Sequence, residues 1–356
     1  MSRAVFAIPG DVDQRTGGYI YNAAVLRLLN ENGCATKHLR LPDSFPAPSP
    51  RDMTAAFEAL STVPEAQPVI VDGLALGAMD PVRVARLSAP IIALVHHPLG
   101  LETGLSRERA VELIRNETKV LKHVAHVIVT SPHVAETLVS QLGVNAKQIT
   151  VATPGFSKAV KTHAPVVPPL ILSVGLLAPR KGHDVLIDAL ARIAGVPWQA
   201  RIVGRPQDPD YTSALRQQIA EANFDDRVTL VGELAPPVLQ EAYQTASIFA
   251  LATRYEGYGM VLGEAMMHGL PVVSCQVGAV PDTVGKAAML VPPDDSEAFA
   301  SALRKLLEHP NVAATAARAS LNQAANLPTW QDTARCIADV IDRVTTQHSN
   351  LERHET

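Results

Sequence analysis

Short runs rich in apolar and β-branched residues alternate with helix-length amphipathic segments along almost the whole chain. Six such runs lie in the first half, at residues 5–8, 35–41, 68–72, 91–96, 126–130 and 148–152. Six more follow, at residues 170–174, 199–203, 228–231, 248–252, 271–274 and 288–291. Strands that are apolar on both faces and separated by helices are typical of parallel sheets covered by helices. The pattern therefore predicts an α/β protein whose strands present their carboxyl ends to ligands.

A proline-rich stretch without periodicity, residues 157–169, separates the two sets of predicted strands. The chain has 356 residues, which is long enough for two domains of ordinary size, ~100–200 residues each. We therefore predict two doubly wound domains joined by a linker. After residue 291 the pattern is helical and ends in a polar tail.

Composition and charge exclude several classes of protein. Lysine and arginine total 31 against 35 aspartates and glutamates, so a net charge of −4 leaves no basic footprint for nucleic acid. The longest clean apolar run, residues 89–95, is far shorter than the ~20 residues of a membrane span. The first residues lack a signal-peptide pattern, and three widely spaced cysteines suit a reducing compartment. We therefore expect a cytoplasmic protein with no nucleic-acid partner and no indicated membrane association.

Several common catalytic signatures are missing from the sequence. No G-x-G-x-x-G follows the first predicted strand, and no G-x-x-x-x-G-K-[ST] is present. Neither H-E-x-x-H nor G-x-S-x-G is present. Dinucleotide-binding, P-loop, zincin and serine-hydrolase functions therefore lose their main support.

Two glutamates eight residues apart form the most informative pattern. Glu256 opens a glycine-rich turn with Gly257 and Gly259, and Glu264 lies inside the helix predicted to follow. Eight helical residues span ~12 Å at a rise of about 1.5 Å each, which matches the distance from a sugar to the ribose of a nucleotide sugar. The helix start would favour the diphosphate between them. The alternative is a glutamate stabilising the helix dipole and a second, solvated one.

Polar and glycine residues at other predicted strand ends are weaker candidates. Gly17 and Gly18 open a helix after the first strand, where their N–H groups suit a phosphate or an acceptor, although Gly-Gly is usually a flexible loop. His96 and His97 end the fourth strand, and alternation predicts that only one of them reaches a ligand. The alternative is a histidine hydrogen-bonded to backbone.

The region from about residue 170 to 292 resembles the retaining glycosyltransferases of the GT-B fold, in particular glycosyltransferase family 4, whose E-x7-E motif matches residues 256–264. The other matching segments are Ser173-Val-Gly175 with Lys181-Gly182, Arg201-Ile-Val-Gly204, Arg227-Val-Thr-Leu-Val-Gly232, Gly269-Leu-Pro-Val-Val and Gly278-Ala-Val-Pro281-Asp282. In the first half the likeness is thinner and rests on Gly17-Gly18, His96-His97-Pro98 and Ser131. The sequence departs from the family at Leu176, where an arginine usually follows the glycine of the diphosphate turn.

The resemblance implies two Rossmann-like doubly wound domains facing across a cleft. It implies an N-terminal acceptor-binding domain over residues 1–157 and a nucleotide-sugar-binding domain over 158–330. Residues 331–356 would form a C-terminal helix packing back on the first domain, plus the polar tail. The implied activity is transfer of a sugar, with retention of configuration, from a nucleoside-diphosphate sugar to an unidentified acceptor. The family generally works without a metal, so we expect no metal ligands and no cofactor other than the donor as co-substrate.

The resemblance also implies a role for each matching residue. The expected catalytic residues are Glu256, His96, Lys181 and Arg180, in which Arg180 replaces the charge missing at Leu176. A solvated helix start is the alternative for the two cations, although cations are unfavourable there. The family pattern favours His96 over its neighbour as the histidine that reaches the ligand. The expected donor-binding residues are Glu264, Gly175, Gly204, Arg205, Gly232, Glu233, Gly257, Tyr258, Gly259, Met260, Val261 and Leu262, and the expected acceptor or phosphate loop comprises Gly17, Gly18 and His97.

Two other functions remain open at this point. A sugar-nucleotide epimerase can share the GT-B fold, although it would need acid and base carboxylates from both domains. The second alternative is a relative that binds a nucleotide sugar without turnover, because Leu176 removes a positive charge that the family usually has.

Overall fold

The computed structural model describes residues 2–102, 104–157 and 164–355, and for residues 349–355 it describes the backbone alone. Residues 158–163 of the predicted linker, and with them the expected domain boundary, lie outside the described residues. The chain divides into two compact units, which are described separately. Unit 1 comprises Met1–Gly155 and Pro328–Thr356, and unit 2 comprises Phe156–Leu327.

Unit 1 is built on a parallel sheet of six strands among its described residues, in the order β2-β1-β3-β4-β5-β6. The strands are β1 (Ala4–Pro9), β2 (Thr36–Leu41), β3 (Val69–Asp72), β4 (Ile91–Val95), β5 (His126–Val129) and β6 (Ile149–Val151). The connecting helices are α1 (Gly17–Glu31), α2 (Pro50–Ser61), α3 (Gly73–Leu76), α4 (Pro81–Val84), α5 (Arg107–Val120) and α6 (Pro132–Leu142). Strand order reverses between β1 and β3, which is where ligands bind in open α/β sheets.

Unit 2 has a second parallel sheet, in the order β12-β11-β10-β7-β8-β9. Its strands are β7 (Leu170–Val174), β8 (Gln199–Val203), β9 (Val228–Gly232), β10 (Ile248–Leu251), β11 (Val272–Cys275) and β12 (Ala288–Val291). Its helices are α7 (His183–Arg192), α8 (Pro209–Glu221), α9 (Pro236–Thr245), α10 (Met260–Met267), α11 (Val280–Val284), α12 (Ser296–Glu308) and α13 (Pro310–Ala324). The strand order of this sheet reverses between β7 and β10.

The last helix, α14 (Trp330–Glu355), belongs to unit 1 and packs against α1. Ile337, Val340 and Ile341 line its buried face, together with Val344. Each of these side chains is at most 2% exposed. The spacing of three and four residues places them on one helical stripe, which buries apolar area against the sheet.

Both faces of each sheet are buried, which explains why the strands are apolar at consecutive positions. In β1, Val5 and Ala7 contribute to one core, whereas Phe6 and Ile8 contribute to the core on the opposite face. Unit 2 likewise has two cores, one on each face of its sheet. The twelve predicted strands are confirmed with ends within one residue of the expected ones. No helix in the described part of the chain is long and apolar enough to cross a membrane.

Candidate active site

The carboxyl ends of β7 and β10 lie side by side in unit 2, because these strands are hydrogen-bonded neighbours. Two loops leave this edge of the sheet, residues 175–182 after β7 and residues 252–259 after β10. Lys181 and Arg180 lie on the first loop, and Glu256 lies on the second. The topology therefore brings together cations and a carboxylate that are about 75 residues apart in the sequence.

The loop after β7 is packed too tightly for side chains at its glycines. Gly182 has a φ of +63°, and a Cβ there would lie 1.9 Å from the Ala252 carbonyl oxygen. A Cβ on Gly175 would touch the Lys181 side chain at 3.2 Å, so the lysine stem lies directly over this glycine. Only glycine combines left-handed backbone with so close an approach, as at position 182. The glycines thus fix where Lys181 lies.

His183, the first residue of α7, supports the same turn from beneath. Burial lowers the pKa of His183 to about 4, so the ring is neutral. Its Nε2 lies 3.2 Å from the Leu176 carbonyl oxygen and 3.4 Å from that of Gly175, which assigns the ring proton to Nε2 as donor. Leu176, where the family usually has an arginine, is thus held through its backbone. No sequence motif pointed to His183.

Lys181 and Glu256 form a buried ion pair. The Lys181 Nζ lies 2.5 Å from Glu256 Oε1, and the two residues are 9% and 5% exposed. Thr253 donates a second hydrogen bond to the same carboxylate oxygen at 3.1 Å. A buried carboxylate is costly unless it is paired and hydrogen-bonded, as it is here. The pair is therefore a buried, hydrogen-bonded ion pair and differs from a solvated ion pair on the surface.

Arg180 adds a second positive charge beside the pair. Its guanidinium lies 3.9 Å from Glu256 Oε2 and donates to the Tyr255 carbonyl oxygen at 3.1 Å. Burial by itself would raise the pKa of Glu256, but the charges of Lys181 and Arg180 outweigh it, and the pKa is lowered. Glu256 is therefore ionised at neutral pH, with two cations around one carboxylate. The excess positive charge suits a further anion.

The turn after Glu256 leads directly into α10. Gly259 caps this helix with a φ of +87°, and the Leu262 N–H donates to its carbonyl oxygen at 2.9 Å. The buried ring of Tyr258 lies 6.2 Å from that of Phe156. Met260 and Val261 begin the first helical turn, whose N–H groups have no partner within the helix. Gly257 lies in the turn between Glu256 and this helix start.

Glu264 lies on α10, in the helix body, and is partly buried. The fully buried Tyr243 donates a hydrogen bond to Glu264 Oε2 at 2.8 Å. Burial raises the pKa of Glu264, and the hydrogen bond from Tyr243 offsets part of that increase. The His268 ring stacks on Tyr243 at 5.0 Å and its Nδ1 lies 2.9 Å from the Glu264 carbonyl oxygen. Tyr243 thus fixes the position of one of the two carboxylate oxygens of Glu264.

The segments expected to hold the base follow β8 and β9. A Cβ on Gly204 would lie 1.8 Å from the Gly175 carbonyl oxygen, so these turns are in close contact. Gly232 has a φ of +79°, and its carbonyl oxygen accepts a hydrogen bond from the Gly204 N–H at 2.9 Å. The side chains of Arg205 and Glu233 are half-exposed and approach to 4.0 Å. Gly204 and Arg205 therefore lie next to the turn after β7, and Gly232 and Glu233 lie next to them.

In unit 1, His96 belongs to a polar cluster at the carboxyl edge of the sheet. Asn22, which is buried, donates through Nδ2 to Asp72, which also caps α3 by accepting from the Leu74 N–H at 2.7 Å. The Asn22 Oδ1 lies 3.2 Å from His96 Nε2. Since the amide nitrogen is turned towards Asp72, the Asn22 oxygen accepts and His96 Nε2 carries a proton. Sequence reasoning identified His96 but neither Asn22 nor Asp72.

The remaining expected residues of unit 1 contact different partners and do not form one site. Gly17 begins α1, and a Cβ on Gly18 would lie 3.3 Å from the His96 ring, so this glycine makes room for the histidine. His97 instead pairs with Glu102 at 3.0 Å. The two histidines therefore lie in different surroundings. Within the described ranges there is no group of three or more histidines, cysteines or carboxylates placed to hold a metal ion.

Each unit's architecture and the edge between β7 and β10 are those of a GT-B glycosyltransferase. Solved structures agree: HepE from Anabaena, in complex with UDP and glucose, has a TM-score of 0.75 and 19% identity, over 96% of this chain and 100% of that one. Sucrose-phosphate synthase from Thermosynechococcus elongatus has a TM-score of 0.75 and 23% identity, over 99% of each chain.

Family models define the relationship further. The model described as Glycosyltransferase Family 4 matches residues 26–159, and the model described as Glycosyl transferases group 1 matches residues 168–309. The chain belongs to glycosyltransferase family 4. Mannosylfructose-phosphate synthase from Agrobacterium fabrum is 26% identical over 252 residues, which are 65% of this chain and 56% of that protein. The chain thus spans little more than half the length of this curated relative.

Proposed function

We propose that the protein transfers a sugar from a nucleoside-diphosphate sugar to an unidentified acceptor, with retention of configuration and without a metal ion. The observation that carries the proposal is the buried Lys181–Glu256 pair with Arg180 beside it, at the point where the strand order of unit 2 reverses. Ligands of open α/β sheets bind at such points. Retention rests on the resemblance of the Glu256–Glu264 spacing to the family motif.

The two cations would bind the donor diphosphate. The Lys181 ammonium, which pairs with Glu256 at 2.5 Å, would also donate a hydrogen bond to a phosphate oxygen. As the glycosidic bond breaks, the nucleoside diphosphate gains negative charge, and fixed cations and the N–H groups at the start of α10 stabilise it. These groups supply the charge that a metal ion supplies in other sites.

The two glutamates would position the ends of the donor. Glu256, ionised and fixed by Lys181 and Thr253, would accept hydrogen bonds from hydroxyls of the transferred sugar. Glu264, with one oxygen occupied by Tyr243, would accept from the ribose diol with the other. The turns at Gly204 and Gly232, with Arg205 and Glu233, would lie against the base.

Unit 1 would hold the acceptor. In its neutral form His96 would accept through Nδ1, because its Nε2 lies 3.2 Å from the Asn22 Oδ1, and Gly18 leaves room beside the ring. An acceptor hydroxyl could donate to this nitrogen. The structure of HepE with UDP and glucose makes UDP-glucose the first donor to test.

A panel of UDP-, GDP-, ADP- and dTDP-sugars, incubated with the protein without acceptor, tests the proposal. Slow release of the nucleoside diphosphate is expected, and addition of EDTA should leave its rate unchanged. Formation of an epimer would instead favour an isomerase, and binding without turnover would favour an inactive relative that lost the charge at Leu176.

Glu264→Ala provides the test of the site. It should weaken donor binding at least tenfold, because one charge-assisted hydrogen bond to a diol is lost (about 1.5–3 kcal/mol). The variant should remain folded with a lower melting temperature, because the buried Tyr243 hydroxyl loses its acceptor. Glu308→Ala removes an exposed glutamate at the end of α12 and serves as the control. Unchanged donor affinity in Glu264→Ala would refute the assignment of this residue.

A further inference from the structure

An arginine that no sequence motif singled out connects the two loops of the site. Arg254 lies two residues before Glu256. Its backbone N–H donates to the Arg180 carbonyl oxygen at 2.8 Å, and its guanidinium donates to the Pro179 carbonyl oxygen. The residue therefore binds the backbone of the turn that carries both cations, Arg180 and Lys181.

The same guanidinium makes a two-pronged ion pair with Asp184. Nη1 lies 3.0 Å from Oδ1 and Nη2 lies 2.7 Å from Oδ2. Asp184 is the second residue of α7, three residues after Lys181. Paired N–H to oxygen bonds of this kind fix direction as well as distance. Arg254 thus holds the turn of residues 179–181 from both of its ends.

Asp184 is itself held by further contacts. The Tyr211 hydroxyl donates to Asp184 Oδ1 at 2.6 Å and accepts from the Asp184 backbone N–H at 3.2 Å. Burial would raise the pKa of Asp184, but the hydrogen bonds from Arg254 and Tyr211 outweigh it and lower the pKa. Asp184 is therefore ionised at neutral pH. Arg254 is fixed on its other side by Asp294, with Nε 2.7 Å from Oδ1.

The exposure of this pair argues against a role confined to global stability. The Arg254 and Asp184 side chains are 26% and 35% exposed, and ion pairs with such access to water contribute little to folding, about 0–1 kcal/mol. The pair has a larger effect on the position of the turn at residues 179–181, because this turn holds the Lys181 ammonium 2.5 Å from Glu256. Small displacements of binding groups cost far more in binding than in folding.

We propose that Arg254 and Asp184 are positioning residues, which act through Arg180 and Lys181 to set the geometry of a site for the diphosphate of a nucleoside diphosphate. The proposal rests on the proposed function, since it assigns the diphosphate to these cations. Neither residue is a catalytic residue, because each acts through the backbone of the turn at residues 179–181.

The proposal distinguishes the diphosphate from the rest of the ligand. Loss of the pair should displace Arg180 and Lys181 and leave the base and ribose contacts in place. Arg254→Ala should therefore weaken binding of a nucleoside diphosphate about tenfold or more and leave binding of the matching nucleoside unchanged. Arg254→Lys should give an intermediate loss, because an ammonium cannot form the two-pronged contact. Asp184→Asn should resemble Arg254→Ala, and the double variant should be no worse than either, since the residues act as a unit.

Arg227→Ala is the matched control. Arg227 also bridges backbone carbonyl groups in unit 2, donating to Ala194 at 2.8 Å and Val196 at 2.7 Å, and it lies over the Trp198 ring. These contacts lie at the opposite ends of the strands, away from the turn at residues 179–181. The control should lower the melting temperature without changing nucleotide affinity.

The experiment measures binding of UDP, GDP and ADP by isothermal titration calorimetry, and of the matching nucleosides by ligand-observed NMR. A selective loss of diphosphate binding in Arg254→Ala, absent from Arg227→Ala, supports the proposal. Equal affinity of Arg254→Ala and wild type for the diphosphate, or parallel losses for diphosphate and nucleoside, overturns it while leaving the proposed function standing. A wild-type protein that binds none of these three nucleotides and does not bind dTDP overturns the proposed function as well.

Discussion

Removing the lysine of the buried ion pair is the most informative perturbation of the site. Lys181→Met keeps much of the side-chain volume and leaves Glu256, which is 5% exposed, without its partner at 2.5 Å. Breaking a buried pair from one side costs about 3–5 kcal/mol. Arg180 remains 3.9 Å from the carboxylate, so we expect the lower end, about 3 kcal/mol. For a unit of this size, that corresponds to a fall in melting temperature of about 6–12 °C.

The destabilisation should depend on pH in a defined direction. In the wild type the pKa of Glu256 is lowered below its unfolded value, so the pair stabilises the fold above about pH 4.5, and this contribution is lost as the pH falls. In Lys181→Met, burial acts with less opposition and raises the pKa of Glu256, so the variant takes up a proton in the folded state. The difference in melting temperature should therefore be largest at pH 7 and smaller near pH 4.5, where the Glu256 carboxyl of the folded variant is protonated.

Differential scanning calorimetry at pH 7 and pH 4.5 provides the measurement, with Glu256→Gln and the double variant completing the cycle. We expect the double variant to be more stable than Lys181→Met at pH 7, since no unpaired carboxylate remains. A fall of less than 2 °C that is the same at both pH values would refute the view that the pair is buried and charged.

Three further predictions follow from single contacts. Gly204→Ala would place a Cβ 1.8 Å from a backbone oxygen of the turn after β7, so it should lower the melting temperature and abolish donor binding, whereas Gly195→Ala, with nothing within 4 Å, should do neither. Tyr243→Phe removes the hydrogen bond that lowers the pKa of Glu264, so donor affinity should reach its maximum at a higher pH than in the wild type. A pH dependence of donor affinity equal to that of the wild type would contradict this. Burial raises the pKa of Glu117 to about 8, so the folded state keeps a proton that the unfolded state loses, and the free energy of unfolding should fall as pH rises from about 4.5 to 8. Glu117→Gln should remove this pH dependence of the free energy of unfolding, measured by urea unfolding. An unchanged pH dependence in the variant would count against the prediction.

The sequence predicted the sheets well because buried parallel strands carry their signal locally. The run at residues 170–174 is apolar except for Ser173, and both faces of the strand are indeed buried. At the start of helix α2, Ser49 accepts a capping hydrogen bond from the Asp52 N–H and Pro50 occupies the first turn. That cap was readable from the sequence. Helices α3 and α11 have only four and five residues, too few for a periodic pattern.

The site was predictable only where its residues form a local motif. The spacing of Glu256 and Glu264 left a purely structural role open, and the neighbouring segments that resemble the family motif made the two residues candidates for ligand binding. Arg254 and Asp184 are 70 residues apart, and neither residue type stands out alone. Only the pairing of β7 with β10 brings them together. Strand order, which the sequence pattern does not specify, therefore determines these contacts.

The account's central claim is that the loops after β7 and β10 hold the diphosphate of a nucleotide sugar. A crystal structure of the protein with the nucleoside diphosphate that it binds most tightly tests this directly. We expect a phosphate oxygen about 3 Å from Lys181 Nζ and a ribose hydroxyl about 3 Å from a Glu264 carboxylate oxygen. A nucleotide bound elsewhere, with the Lys181–Glu256 pair untouched, would contradict the account.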